Sequence, residues 1–192
     1  MIKKILVICG HPDIESFTGL VAKHYAAAAT EAGHDVTQVN VGELEFDPVL
    51  RKGYNEEQLL ESDLVVVQEA IKNSDHLVIV YPNWWCAMPA ILKGLFDRIW
   101  LSGFAFINRA DTNKTDRLLA GRTARVIILS GSYHPFMAWW NYGDYTNEIQ
   151  YAILEFAGIR TNVTSLGPVQ KVSDKKRQSW LREVEQLGKR GI

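Results

Sequence analysis

His11, Ser16, Phe17 and Thr18 follow an apolar run within a few residues of one another, and together they offer what a phosphate group needs. Ser16 stands where the chain turns helical, and the first turn of a helix leaves backbone N–H groups unpartnered at the positive end of its dipole. His11 could add a ring N–H and Ser16 its hydroxyl. Each also has a plainer role, Ser16 as a helix cap and His11 as an exposed loop histidine. The stretch lacks the Gly-x-Gly-x-x-Gly spacing that brings a dinucleotide pyrophosphate against bare backbone, so tightly held NAD in the Rossmann manner is disfavoured.

Two further stretches carry chemistry of a different kind. Pro82-Asn83-Trp84-Trp85-Cys86 places adjacent tryptophans between an apolar run and an amphipathic segment. Such large apolar surfaces ordinarily find a partner, either a flat ligand or a core or subunit interface. Cys86 has no second Cys/His cluster at ligand spacing, so no metal site is expected and an inert thiol is the plainer reading. Ser130-Gly131-Ser132 supplies small donors and a residue without a side chain, suited to the polar edge of a ring system, although Ser-Gly-Ser is also an ordinary turn. Tyr133-His134 and then Phe136, Trp139, Trp140 and Tyr142 follow directly.

The elements that must position these residues are legible as an alternation. Lys4 to Cys9, His76 to Tyr81 and Arg125 to Ser130 are continuous β-branched or apolar runs, as in central parallel strands buried on both faces. His34 to Val41 and Arg160 to Leu166 read as two more strands. Helical spacing marks Ser16 to Ala32, Asn55 to Lys72, Met88 to Leu101, Thr146 to Phe156 and Asp174 to Leu187, the last with Trp180, Val184 and Leu187 on one face. This predicts a single α/β domain over 1–192, an open five-stranded parallel sheet covered by helices on both faces. Ligands of such sheets sit outside the carboxyl ends of the strands, where the three stretches lie.

The chain has 192 residues and a net charge of −1, with no polybasic surface to favour nucleic acid or anionic membrane. Cys9 and Cys86 fall on what read as separate buried elements, so a disulfide is not expected and a cytoplasmic, reducing compartment fits. The apolar run near the start is too short for a membrane span.

Pro82-x-x-Trp85, followed by Met88-Pro89-Ala90-Ile91-Leu92-Lys93-Gly94-Leu95-Phe96-Asp97-Arg98, resembles the signature segment of the NAD(P)H:quinone oxidoreductase family, also called DT-diaphorase or flavodoxin-2. Its bacterial relatives include modulator-of-drug-activity reductases and the ancillary flavoproteins of potassium-efflux channels. The resemblance spans nearly the whole chain. It implies a flavodoxin-like fold, a homodimer, bound FAD (FMN in some relatives), and two-electron reduction of quinones by NADH or NADPH. Carried over by position, His11, Ser16, Phe17 and Thr18 match flavin phosphate and ribityl contacts. Pro82, Asn83, Trp84, Trp85 and Cys86 match the loop beside the isoalloxazine ring, Ser130, Gly131 and Ser132 the turn at its pyrimidine edge, and Arg177 an arginine near the adenine end.

The chain departs from the family's mammalian members where these place a tyrosine and a histidine to relay charge. Tyr142 stands near the histidine position and Phe136 near the tyrosine position, leaving Tyr133 and His134 as substitutes. In Gly103 to Asn108, which resembles the lid supplied by the partner subunit, Phe106 and Asn108 replace tyrosines. The mammalian insertion after the second strand and the C-terminal extension are missing. Rival expectations are a one-electron carrier, which the neutral charge disfavours, a regulatory subunit bound peripherally to a membrane transporter, and an azo- or nitroreductase.

Overall fold

The computed structural model describes residues 1–109, 114–131, 136–137, 140 and 145–192. The elements run β1 (Lys4–Cys9), α1 (Phe17–Glu31), β2 (Asp35–Asn40), a single 3-10 turn (Val41–Glu43), α2 (Ser62–Asn73), β3 (His76–Asn83), α3 (Ala90–Ile99), β4 (Phe106–Arg109), β5 (Lys114–Arg117), β6 (Thr123–Ser130), α4 (Glu148–Glu155), β7 (Arg160–Leu166) and α5 (Asp174–Arg190). Five strands form one parallel sheet in the order β2-β1-β3-β6-β7. This is the flavodoxin-like order expected from the alternation, with strand succession reversing between β1 and β3.

β1 and β3 are apolar and buried almost end to end because they are central and covered from both sides, whereas β2, with Asp35, Thr37, Gln38 and Asn40, takes an edge. On one face Ile5, Val7, Val78, Val80, Ile127 and Leu129 pack against α1 and α5, including Tyr25, Trp180 and Val184. On the other, Leu6, Ile8, Leu77, Ile79, Val126 and Ile128 pack against α2, α3 and α4. Each fully buried leucine or isoleucine contributes roughly 1.5–3 kcal/mol, so the two layers fix the strand ends firmly.

Several elements depart from the sequence pattern. Helical spacing reaches back to Asn55, yet α2 begins at Ser62 because Arg98 takes the chain before it. The Arg98 guanidinium donates to the Asp47 carbonyl, to the Leu59 carbonyl at 2.8 Å, and to both Glu61 carboxylate oxygens at 3.1 and 2.9 Å. Burial raises the Glu61 carboxyl pKa, but the hydrogen bond from Arg98, those from the Glu61 and Asp47 backbone and the Arg98 charge together outweigh it and hold the pKa low. α3 starts at Ala90 rather than Met88, since Pro89 occupies its N-cap with extended ψ and forces Met88 out of helical geometry. α4 is shorter than expected and wound in the wider π form. The antiparallel β4–β5 hairpin was not expected at all.

Candidate functional site

The carboxyl ends of β1, β3 and β6 bring the three stretches together. β1 ends at Cys9, whose thiol burial pushes its pKa up, and the next amide, Gly10, donates to the Val80 carbonyl at 2.8 Å. The following loop is ordered by its own polar groups. Asp13 N donates to His11 Nδ1 at 2.9 Å, Glu15 N to Asp13 Oδ1 at 2.9 Å, and Ser16 N to the Asp13 carbonyl at 3.3 Å. Because Nδ1 accepts, an uncharged His11 ring carries its proton on Nε2, the nitrogen left to donate outward. Its ring also meets Trp84 edge-on, with centroids 5.3 Å apart.

Ser16 is the N-cap of α1, its Oγ accepting from Gly19 N at 3.2 Å. The plainer role is therefore real, and the hydroxyl proton still leaves it one bond to donate. Phe17 and Thr18 open the helix with amides that have no intrahelical acceptor. The Thr18 side chain itself is buried. A hollow of about 290 Å³, lined by Ile14, Glu15, Ser16, Phe17, Leu20 and Lys23, lies beside this helix start. The Arg177 guanidinium lies 5.7 Å from the centre of the Phe17 ring and donates to the Val169 carbonyl at 2.9 Å.

After β3 the chain turns within four residues. Trp84 N donates to the Ala87 carbonyl at 2.9 Å and Ala87 N to the Trp84 carbonyl at 3.1 Å. The two central residues, Trp85 (φ 55°) and Cys86 (φ 62°), are both left-handed. This tight turn is ordinarily built from Asn and Gly, and bulky residues in it cost of order 1–3 kcal/mol each. It leaves Trp85 fully exposed (100 %) and Trp84 44 % exposed, so neither fills the core of this chain. Cys86 is half-buried in the turn rather than on a buried element.

Asn83 and Ser130 face each other in register at the ends of β3 and β6. Asn83 Oδ1 and Ser130 Oγ are both buried and without a partner among the described residues. Buried polar atoms left unpaired are costly, and these two stand side by side at adjacent strand ends, where the polar edge of a ligand can pair them. A flavin ring, flat and edged with N–H and carbonyl groups, fits this pair together with the exposed indoles beside it. The α1 N-terminus and His11 fit its phosphate. Gly131 continues from Ser130, while Ser132, Tyr133, His134 and Tyr142 lie outside the described residues.

A family model described as a flavodoxin-like fold, flavodoxin-2, matches residues 3–188. The chain belongs to the flavodoxin-2 family. An uncharacterized NAD(P)H oxidoreductase of Haemophilus influenzae is 30 % identical over 133 residues, covering 66 % of this chain and 64 % of that protein. The chain spans between about half and 64 % of the length of the first curated relatives it matches. Among solved flavodoxin-like structures, Smu.1420 of Streptococcus mutans has a TM-score of 0.82 at 28 % identity, covering 97 % of this chain and 99 % of that one. An NAD(P)H:quinone oxidoreductase of Methanothermobacter marburgensis reaches 0.82 at 22 % identity over the whole of both chains. An FMN-dependent NADH-azoreductase of Bacillus anthracis, in complex with FMN, reaches 0.74 at 23 % identity over 98 % of this chain and 99 % of that one. The last two likenesses speak to the fold.

Within this flavodoxin-2 chain, Phe106 and Asn108 do not join the site. Both lie in the β4–β5 hairpin, the Phe106 ring 5.1 Å from Phe156 just before β7 begins, at the amino ends of the strands and away from the carboxyl ends that carry the site. Asn108 Oδ1 accepts from Thr115 Oγ1 at 2.9 Å. Sequence reasoning missed a fourth loop, after β7. Val169 N donates to the Ser130 carbonyl at 2.9 Å and Gln170 N to that of Gly131 at 3.1 Å, so this loop braces the third stretch and, through Val169, holds Arg177. The signal was available, since Gly167-Pro168 ends a parallel strand on the same edge as the other three.

Proposed function

We propose that this chain is a flavin-dependent NAD(P)H:quinone oxidoreductase built as a single domain. The observation that carries the reading is the unpartnered pair Asn83 Oδ1 and Ser130 Oγ beside the exposed Trp84 and Trp85. A flavin bound there would supply two-electron chemistry, taking a hydride from a reduced nicotinamide and passing the electrons on to an acceptor. The chain's residues do the rest. His11, Ser16 and the first amides of α1 hold a phosphate, and the Phe17–Arg177 pair gives an adenine a flat surface, which favours FAD over FMN. Asn83 and Ser130 orient the ring edge, and the backbone of the Trp85-Cys86 turn offers N–H groups where negative charge develops. Trp84 and Trp85 would wall the space that nicotinamide and quinone enter in turn. Tyr133, His134 or Tyr142 handles the proton, or water does.

The site is completed across a two-fold homodimer, with Phe106 and Asn108 of one protomer covering the substrate face of its partner's site. Their position at the amino ends of the strands, out of reach of their own chain's site, supports this. Among the described residues no helix is long and apolar enough to cross a membrane. A cytoplasmic location is part of the proposal, and any tie to a membrane transporter is peripheral. Azo reduction is the same chemistry on another acceptor.

The test is the absorbance spectrum of the purified protein, with the released cofactor identified by chromatography, followed by steady-state kinetics. FAD in the released fraction and parallel double-reciprocal plots for NAD(P)H and a small quinone are expected. No flavin bound at micromolar concentration overturns the reading, and intersecting plots overturn the shared face.

A further inference from the structure

We propose that Gly42 and Gly19 are positioning residues, which fix the His11–Ser16 loop by close backbone approach and thereby set its affinity for a phosphate. The inference rests on the phosphate role given to that loop above. A Cβ on Gly42, in the 3-10 turn after β2, would fall 2.5 Å from the carbonyl carbon of Pro12 and closer still to its oxygen. A Cβ on Gly19, in the first turn of α1, would fall 2.6 Å from the carbonyl carbon of Ile14 and again closer to the oxygen. Neither glycine has a positive φ, so neither is there for conformational freedom. Both obstacles are backbone, which cannot swing aside as a flexible side chain does.

The consequence lies in what stands between the two contacts. Pro12 is pressed on Gly42 and Ile14 on Gly19, and the residue between them is Asp13. Its amide holds His11 Nδ1 and its carbonyl holds Ser16 N. The loop is therefore pinched on both sides of the residue that orients both phosphate ligands. A methyl group on either glycine must push the loop from 2.5 or 2.6 Å out to at least the 3.4 Å of ordinary contact. A displacement of about 1 Å breaks the hydrogen bonds that His11 and Ser16 offer a phosphate, and each bond to a charged group is worth roughly ten- to a hundredfold in affinity. In the middle of the site, away from the phosphate, the same displacement has no effect, because Asn83 and Ser130 are carried by strands.

Titrations of wild type, Gly42→Ala and Gly19→Ala with FMN, FAD and riboflavin separate these effects, because riboflavin has the ring but no phosphate. Ile71→Val, a buried change in α2, serves as a comparison of mild destabilisation away from the loop. Both glycine variants are expected to bind FMN and FAD at least tenfold more weakly and riboflavin within twofold of wild type, with Ile71→Val unchanged. Weakening of all three flavins by the same factor, or no weakening, overturns the inference. For Gly19→Ala the loss would run against helix propensity, which favours alanine, and this variant decides the matter should Gly42→Ala fail to fold. If wild type binds no flavin, the function proposed above fails instead. The positioning claim is then decided on the unliganded protein by the NMR signals of the His11 ring, which lies edge-on to Trp84. These shift in both glycine variants and not in Ile71→Val if the loop is displaced, and unmoved signals overturn the claim.

Discussion

Arg98→Leu is expected to destabilise the protein by about 3–5 kcal/mol, because a buried guanidinium whose partners lose it leaves them unpaired. Arg98 is 0 % exposed and donates to two backbone carbonyls, Asp47 and Leu59, and to Glu61. Leucine fills much of the space but satisfies neither carbonyl, and each one left dry costs about 1–3 kcal/mol. The Glu61 side chain is 34 % exposed, so its charge can turn to water and its share is discounted for screening. Arg98 also has an unpartnered Nε, a cost that the substitution removes. The balance stays unfavourable because both carbonyls belong to the segment before α2, which this side chain ties to α3. The assay is urea unfolding followed by tryptophan fluorescence, with the midpoint falling and the slope unchanged. Glu61→Gln keeps an acceptor for Arg98 and is expected to cost about 1 kcal/mol. An Arg98→Leu protein within about 1 kcal/mol of wild type would refute the reasoning, since it would mean that desolvation of the guanidinium cancels its hydrogen bonds.

His76 is 2 % exposed, and burial, helped by the nearby charges of Lys3 and Arg125, pushes its pKa from 6.5 down to about 3. The unfolded chain binds a proton there below pH 6.5 and the folded chain does not until about pH 3, so stability is full above 6.5 and falls through that window. At pH 5 the loss is roughly 2 kcal/mol. Urea midpoints of wild type and His76→Gln, compared at pH 7 and pH 5, check it, and an equal fall in both proteins would contradict it. Ser16→Tyr and Phe106→Asp, each nearly inactive alone, are expected to regain about one quarter of wild-type activity when subunits are exchanged, because the heterodimer gathers both lesions into one site. Exchange confirmed by mass spectrometry with no gain would mean that each protomer's site is self-contained.

The central strands and the three site loops were legible because burial on both faces leaves an uninterrupted apolar run that stops where the chain must turn. The start of α2 was not, since Leu59 and Leu60 continue the helical spacing while a distant side chain, Arg98, takes the backbone carbonyl that decides the matter. The hairpin escaped notice because Lys114-Thr115-Asp116-Arg117 carries no apolar face, and pairs such as Arg109 with Asp116 at 2.6 Å show only once the strands meet. In the site, residue types announced His11, Ser16 and the tryptophans. The left-handed conformation of Trp85 and Cys86 could not be read, because nothing in those side chains asks for it. Gly42 and Gly19 were invisible for the opposite reason, since a lone glycine in a sequence signals freedom as readily as contact.

The turn at Trp85 and Cys86 also bears on attempts to make the protein more heat-resistant. Any procedure that rewards folding free energy alone would choose Asn-Gly at these positions, since that pair adopts the left-handed turn without strain. The resulting protein would melt later and lose the indole that this turn holds out in solvent. Thermostability selected without a cofactor present would therefore be expected to erase the site first at the place where the chain is least comfortable.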